Sequence, residues 1–281
     1  MPLTGGTSRA GAAPGWAVTL PAHPGIVASC LSDLAQQGRK ASTIGRRAAS
    51  IGYHHKLAGH EPPTNQETVK VVLRGIYRSI GTARAGKAAA TANIVRLMLD
   101  ACPENTLIGL RDRALISFGL ASAMRRSELC ALNVEDLVPT KDGYRVIIRR
   151  SKTDQTGEGQ EIAVPRGLKL RPVECMERWL EAAAITEGRV FRAVLRGGRV
   201  QRSLRPENLS KAVKKLAARI EIDPKTIAAH SLRSGFVSTC VETNAPLIKI
   251  AEVTRHKSLS MLQVYNRRHN LFADRAAAGW V

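Results

Sequence analysis

Apolar residues recur at three- and four-residue intervals along most of this 281-residue chain, the period of helices that bury one face. "GIVASCLSDLAQQG", "ASTIGRRAASIGYHHKLAG" and "NQETVKVVLRGIYRSIG" carry that pattern. Gly38, Gly59 with Pro62 and Pro63, and Gly81 interrupt it, as helix ends do. The spacing predicts a small all-helical domain over residues 21–84, preceded by a flexible tail, 1–20, rich in Gly, Ala, Pro and Thr. The small, basic "ARAGKAAAT" predicts a linker at 85–90, and a second domain is expected over 91–281.

Within that second part, "LIGLRDRALISFGLASAM" predicts a buried helix and "RRSELCALNVEDL" a shorter one after it. The period then changes. "GYRVIIRR" and "QEIAVP" have strand composition and flank the polar, Gly-containing "SKTDQTGEG", which predicts a β-hairpin with a long tip. Helical patterning returns in "GLKLRPVECMERWLEAAAI", "PENLSKAVKKLAARI", "SLRSGFVSTCVETN", "APLIKIAEVTRH" and "SLSMLQVYNRRH". The expected fold class is mainly α with a small β-hairpin or sheet in the second domain (α+β).

Charge narrows the function. Lys and Arg number 43 against 23 Asp and Glu, a formal net charge of +20, which suits a polyanionic partner and nucleic acid above all. Aromatic residues make up only 4%, too few for stacking platforms on single strands, so duplex DNA gripped through its phosphates fits better. Five scattered cysteines without a C-x-x-C pair read as reduced thiols. The apolar run from Ala114 to Met124 is too short to span a bilayer, so a cytoplasmic protein without a membrane partner is expected.

Candidate chemistry concentrates in the second part. In "AAHSLRSGF", His230 and Arg233 stand three residues apart and project from one face near a helix start, where unpaired N–H groups favour an anion. Taken alone, the pair serves equally well as a helix cap. Arg125 in "SAMRRSEL" sits at the N-terminal edge of a helix, with Glu128 three residues on, able to reach back and orient a basic neighbour. Lys152 lies at the hairpin mouth, His256 at a helix junction, and Tyr265 nine residues beyond His256.

The order and spacing of "MRRSEL", a hairpin lysine, "HSLR", then "RHKSLS" and a tyrosine resemble the tyrosine recombinase family, also called the phage integrases. The resemblance runs from about Leu107 to Tyr265, and the preceding helical part is similar to that family's core-binding domain. It implies that Arg125 and Arg233 are the catalytic arginines, Lys152 the hairpin lysine, His230 and His256 the two histidines, and Tyr265 the nucleophile. Two positions depart from the pattern: Ala123 and Arg255 stand where the family commonly has glycine.

Those residue types suit phosphodiester transfer. Two arginines fork N–H donors onto non-bridging oxygens, which lysine cannot reproduce. A phenol of pKa about 10 needs cations around it and a base such as His230 to ionise near neutral pH. Lys152 is the candidate acid for the leaving 5′-oxygen, on family precedent. The resemblance implies a 3′-phosphotyrosine intermediate that retains the bond energy, so neither ATP nor a metal or other cofactor is expected. The sequence carries no D-x-D or H-E-x-x-H motif.

The resemblance implies a site-specific recombinase or integrase whose two domains close as a clamp around duplex DNA, working as a homotetramer. Accessory DNA-bending proteins are left open. Two other readings stand beside it. A type IB topoisomerase-like enzyme would relax DNA with the same residues, and the short chain disfavours it. A protein on the same scaffold that binds without cutting would form no covalent adduct. "LRGGRVQRSLRPENLSKAVKK", residues 195–215, is the candidate segment for groove contact.

Overall fold

The structure is a computed structural model that describes residues 20–82, 87–149, 159–256, 258–259 and 262–265. The chain divides into two compact units, Met1–Ala85 and Gly86–Val281.

The described part of the first unit holds α1 (Pro24–Gln36), α2 (Ala41–Leu57) and α3 (Glu67–Ile80). Val27, Leu31, Ile44, Ala48, Val69 and Ile76 form its core, drawn from the apolar stripe of each helix. Arg39, Lys40, Arg46 and Arg47 remain exposed. His55 is buried and pins the chain entering α1: its Nε2 accepts from the Ala22 N–H at 2.9 Å, while Nδ1 lies 2.7 Å from the Ile51 carbonyl. Those contacts require Nδ1 to carry the proton of a neutral ring.

The second unit opens with α4 (Ala92–Asp100), an element that the small-residue stretch before it hides from pattern reading, then α5 (Leu107–Ala121) and α6 (Arg126–Ala131). Part of the expected linker belongs to this unit. The backbone N–H groups of Ala88 and Ala90 donate to the carbonyls of Thr226 and Ser231, and Ala90 is wholly buried. Small side chains allow that docking. A Cβ on Gly235 would stand 1.8 Å from the Ala90 carbonyl oxygen, so glycine is needed there.

From Ala114 to Leu120 α5 is buried on every side, as its continuous apolar run predicts. The predicted strands are β2 (Gly143–Ile148) and β3 (Gln160–Pro165), antiparallel, with Val146 opposite Ile162. A third strand precedes them, β1 (Leu137–Thr140), which pairs antiparallel with β2 to give the order β1-β2-β3. The helix that the pattern predicts over "RRSELCALNVEDL" would include its first residue, Leu137. The helix in fact ends at Ala131, and Pro139 lies in β1, where an edge position leaves the missing N–H unneeded.

The helices α7 (Pro172–Ala182), α8 (Pro206–Arg219), α9 (His230–Glu242) and α10 (Leu247–Thr254) follow, and residues 262–265 are again helical. The start of α7 falls later than the pattern predicts. Arg171 takes a left-handed conformation, and Pro172 then fits the first helical turn, where its missing N–H is no loss. Along α8, Leu209, Ala212, Val213, Leu216 and Ala217 face the core, leaving Lys211, Lys214 and Lys215 exposed on the other side. No described helix is long and apolar enough to cross a membrane.

Candidate active site

Arg125 caps the N-terminus of α6 with extended backbone, and the Glu128 carboxylate turns back onto it. Glu128 Oε2 accepts from the Arg125 backbone N–H at 2.8 Å, and Oε1 accepts from Arg125 Nη1 at 2.7 Å. Glu128 thus fixes the backbone and the guanidinium of one residue at once, as its three-residue spacing predicts. Burial pushes its carboxyl up, but the Arg255 charge, and after it Arg125, pull harder and hold it below the usual carboxylate range.

Arg233, one turn into α9, is 4% exposed. Its Nη1 donates to the Ala123 carbonyl at 2.8 Å and its Nη2 to the Thr254 carbonyl. A guanidinium has five N–H donors, so most remain for another acceptor. Burial, then the charges of Arg125 and Arg255, lower Arg233 to about 10, which leaves it cationic at neutral pH.

Both carbonyls belong to tight corners. Ala123 has φ 47° and Arg255, directly after Thr254, has φ 55°. These are the two positions at which the family resemblance expects glycine. The sequence departs there, yet the backbone takes the left-handed form that glycine adopts freely and other residues adopt at about 1–2 kcal/mol each. One buried arginine ties the two corners together, and they present Arg125 and His256.

His230 is the first residue of α9 and keeps an exposed edge. Burial of the rest of the ring, then Arg233 and Arg125, lower its pKa. His256 is lowered further, to about 4, by burial and then by Arg233, Arg125, His230 and Arg255. Both rings are therefore neutral at pH 7. The Thr254 hydroxyl has one proton, and it donates to the Ile250 carbonyl at 2.6 Å. It therefore accepts from His256 Nδ1–H at 2.7 Å, which leaves Nε2 as a lone pair.

Tyr265 is half-buried against Val237, Val241, Ile250, Ala251 and Leu262, and its hydroxyl is electrostatically coupled to Arg233. The structure thus brings Arg125, His230, Arg233, His256 and Tyr265 into one electrostatic neighbourhood. Lys152 lies outside the described residues. A cavity of about 290 Å³ is lined by Met124, Glu128, Asp136, Arg149 and Arg189, among others. Neither Arg233 nor Tyr265 lines it. Among the described residues, no group of three or more His, Cys, Asp or Glu could hold a metal ion.

Sequence reading missed Arg255, which donates from Nη2 to Glu128 Oε2 at 2.6 Å. Its only signal was a charged residue where glycine was expected.

The second unit is mostly helical with a three-stranded sheet, and Arg125, Arg233, His230 and His256 act on one another electrostatically, with Tyr265 acting on Arg233. The Phage integrase family matches residues 90–271. An integrase/recombinase xerD homolog of Selenomonas ruminantium is 34% identical over 263 residues, covering 92% of this chain and 77% of that one. Tyrosine recombinase XerC of Pseudomonas fluorescens is 27% identical over 246 residues, 84% of this chain and 73% of that one.

Among solved structures, the XerH site-specific recombinase bound to palindromic difH substrate after cleavage superposes with a TM-score of 0.63 at 15% identity, covering 92% of this chain and 73% of that one. A lambda integrase dimer bound to a COC′ core site gives 0.62 at 15% identity, with coverage of 91% and 67%. The chain belongs to the phage integrase family and is a site-specific tyrosine recombinase.

Proposed function

We propose that the cationic cluster binds the scissile phosphate of duplex DNA and that Tyr265 attacks it. Arg125 and Arg233 take the non-bridging oxygens, where each donor to the developing charge is worth on the order of 10² to 10³ in rate. Neutral His230 accepts the phenol proton as the Tyr265 Oη–P bond forms and the P–O5′ bond breaks. His256 donates from Nε2 once the phosphate has favoured its protonation. Lys152 protonates the leaving 5′-oxygen. Attack by the 5′-hydroxyl of a second strand then releases the tyrosine and rejoins the DNA, with bonds conserved throughout and no ATP consumed.

The observation that carries this reading is the Arg233 guanidinium, which is tied to the corners bearing Arg125 and His256 and coupled to the Tyr265 hydroxyl. The exposed basic residues of the first unit and of residues 195–215 would grip flanking phosphates and read the groove. Exchange between two duplexes calls for four protomers on DNA, and the chain would act in the cytoplasm. The test is a nicked suicide substrate, from which the cut end diffuses away. A trapped adduct mapping to Tyr265 supports the reading, and an adduct on another residue, or none, defeats it.

A further inference from the structure

Arg255 combines three unfavourable features. It takes a left-handed backbone at φ 55° that glycine would adopt without strain. Its side chain is only 5% exposed, so a charge is withdrawn from water. Among the described residues its buried Nε and Nη1 find no hydrogen-bond partner, while Nη2 donates to Glu128. Strain and unpaired buried donors persist where the surroundings make use of them.

The use follows from the charge balance. Glu128 carries one negative charge and shares both oxygens with Arg125. Those two residues alone would sum to zero, and the carboxylate would blunt the field of Arg125 toward a phosphate. With Arg255 on Oε2 the trio carries one net positive charge. Arg125 then keeps its orientation from Glu128 without surrendering its attraction for an anion.

We propose that Arg255 is a positioning residue for strand cleavage, holding Glu128 ionised and aimed at Arg125 while offsetting its charge. This rests on the reading that Arg125 contacts the scissile phosphate. Among the described residues, Arg125, Arg255 and Arg233 act on Glu128 electrostatically, and Asp136, Arg149 and Arg189 line the cavity that Glu128 also borders. Without Arg255, burial is opposed by fewer charges and the Glu128 carboxyl titrates at higher pH. As pH falls through that value, Glu128 gains a proton and loses its hold on Arg125.

The experiment is single-turnover cleavage of a suicide substrate at saturating protein, measured against pH for the native chain, Arg255→Gln and Arg255→Lys. Saturation removes any effect on DNA binding. Supporting groups of this kind are typically worth about 10-fold to 100-fold, so Arg255→Gln is expected to slow cleavage by that factor. It should also move the acid-side fall in rate, which His230 already imposes on the native chain, to higher pH. Arg255→Lys keeps the point charge on Glu128 and should recover most of the rate and the native position of that fall.

A merely structural arginine would give a lower melting midpoint and an unshifted pH profile. Native-like rates and profile in Arg255→Gln overturn the proposal. If Arg255→Gln does not fold, Arg255→Lys decides: loss of rate with a folded protein and native profile overturns it, and recovery supports it. Should the native protein form no adduct, the cleavage reading itself has failed, which is distinguishable from failure of the Arg255 role.

Discussion

Arg233 donates from Nη1 to the backbone carbonyl of Ala123 at 2.8 Å. That bond joins the start of α9 to the corner before α6, and the partner bond to the Thr254 carbonyl joins it to the end of α10. Three segments far apart in the chain thus converge through one side chain. An arginine that ties three segments together cannot be removed without disturbing the scaffold as well as any role in binding. Function is therefore better dissected at its neighbours.

Arg125 is one such neighbour. Arg125→Lys keeps the charge but loses the fork, and one phosphate contact among many adds little to total affinity. Cleavage at saturating protein should fall on the order of 10²-fold or more while gel-shift affinity changes little. Equal losses in both would make Arg125 an ordinary DNA-gripping residue.

Tyr265→Phe retains the ring that packs against the cluster of Val237, Val241, Ile250, Ala251 and Leu262. Stability and DNA binding should survive, with no trapped adduct and no recombinant product after long incubation. Tyr53, Tyr77 and Tyr144 serve as controls, since none belongs to the packing around Tyr265. Residual adduct in Tyr265→Phe would mean that another residue attacks.

His256 titrates at about 4 in the fold against 6.5 for the free side chain. The unfolded chain therefore binds the proton more readily, and stability falls as pH drops from 6.5 toward 4. Urea midpoints across that window should decline more steeply for the native protein than for His256→Gln. A phosphate against the ring favours its charged form, so calorimetry in buffers of differing ionisation enthalpy should show proton uptake on binding cleavable DNA. Parallel urea profiles, or binding without uptake, would remove His256 from the site.

Gly235 tests the scaffold. Gly235→Ala drives a methyl group into the Ala90 carbonyl, 1.8 Å from an ideal Cβ. Overpacking of this kind costs about 1–3 kcal/mol, and the melting midpoint should fall accordingly. An unchanged midpoint would mean that residues 88–90 do not dock on α9.

Salt dependence tests the extent of DNA contact. If about ten phosphates are neutralised, log K should fall against log salt with a slope near −9. A slope near −2 would confine the grip to the cleavage site.

Most helices of both units were legible in the sequence, because a helix with one buried face writes its period locally. So were Arg125, Glu128, His230, Arg233, His256 and Tyr265 as candidates, since the chemistry they suit restricts residue type and their spacing along the chain is readable locally. The brief edge strand β1, with its proline, carried no such period, and the docking of Ala88 and Ala90 depends on carbonyls more than a hundred residues away.

Tertiary structure alone decided what Arg255 does. Its sequence position shows only a charge where glycine was expected. Its pairing with Glu128, 127 residues earlier, exists because two left-handed corners are drawn to one buried guanidinium. A local pattern encodes which face of a segment is buried. It does not encode which distant charge will be waiting there, because that depends on how separate elements pack in three dimensions.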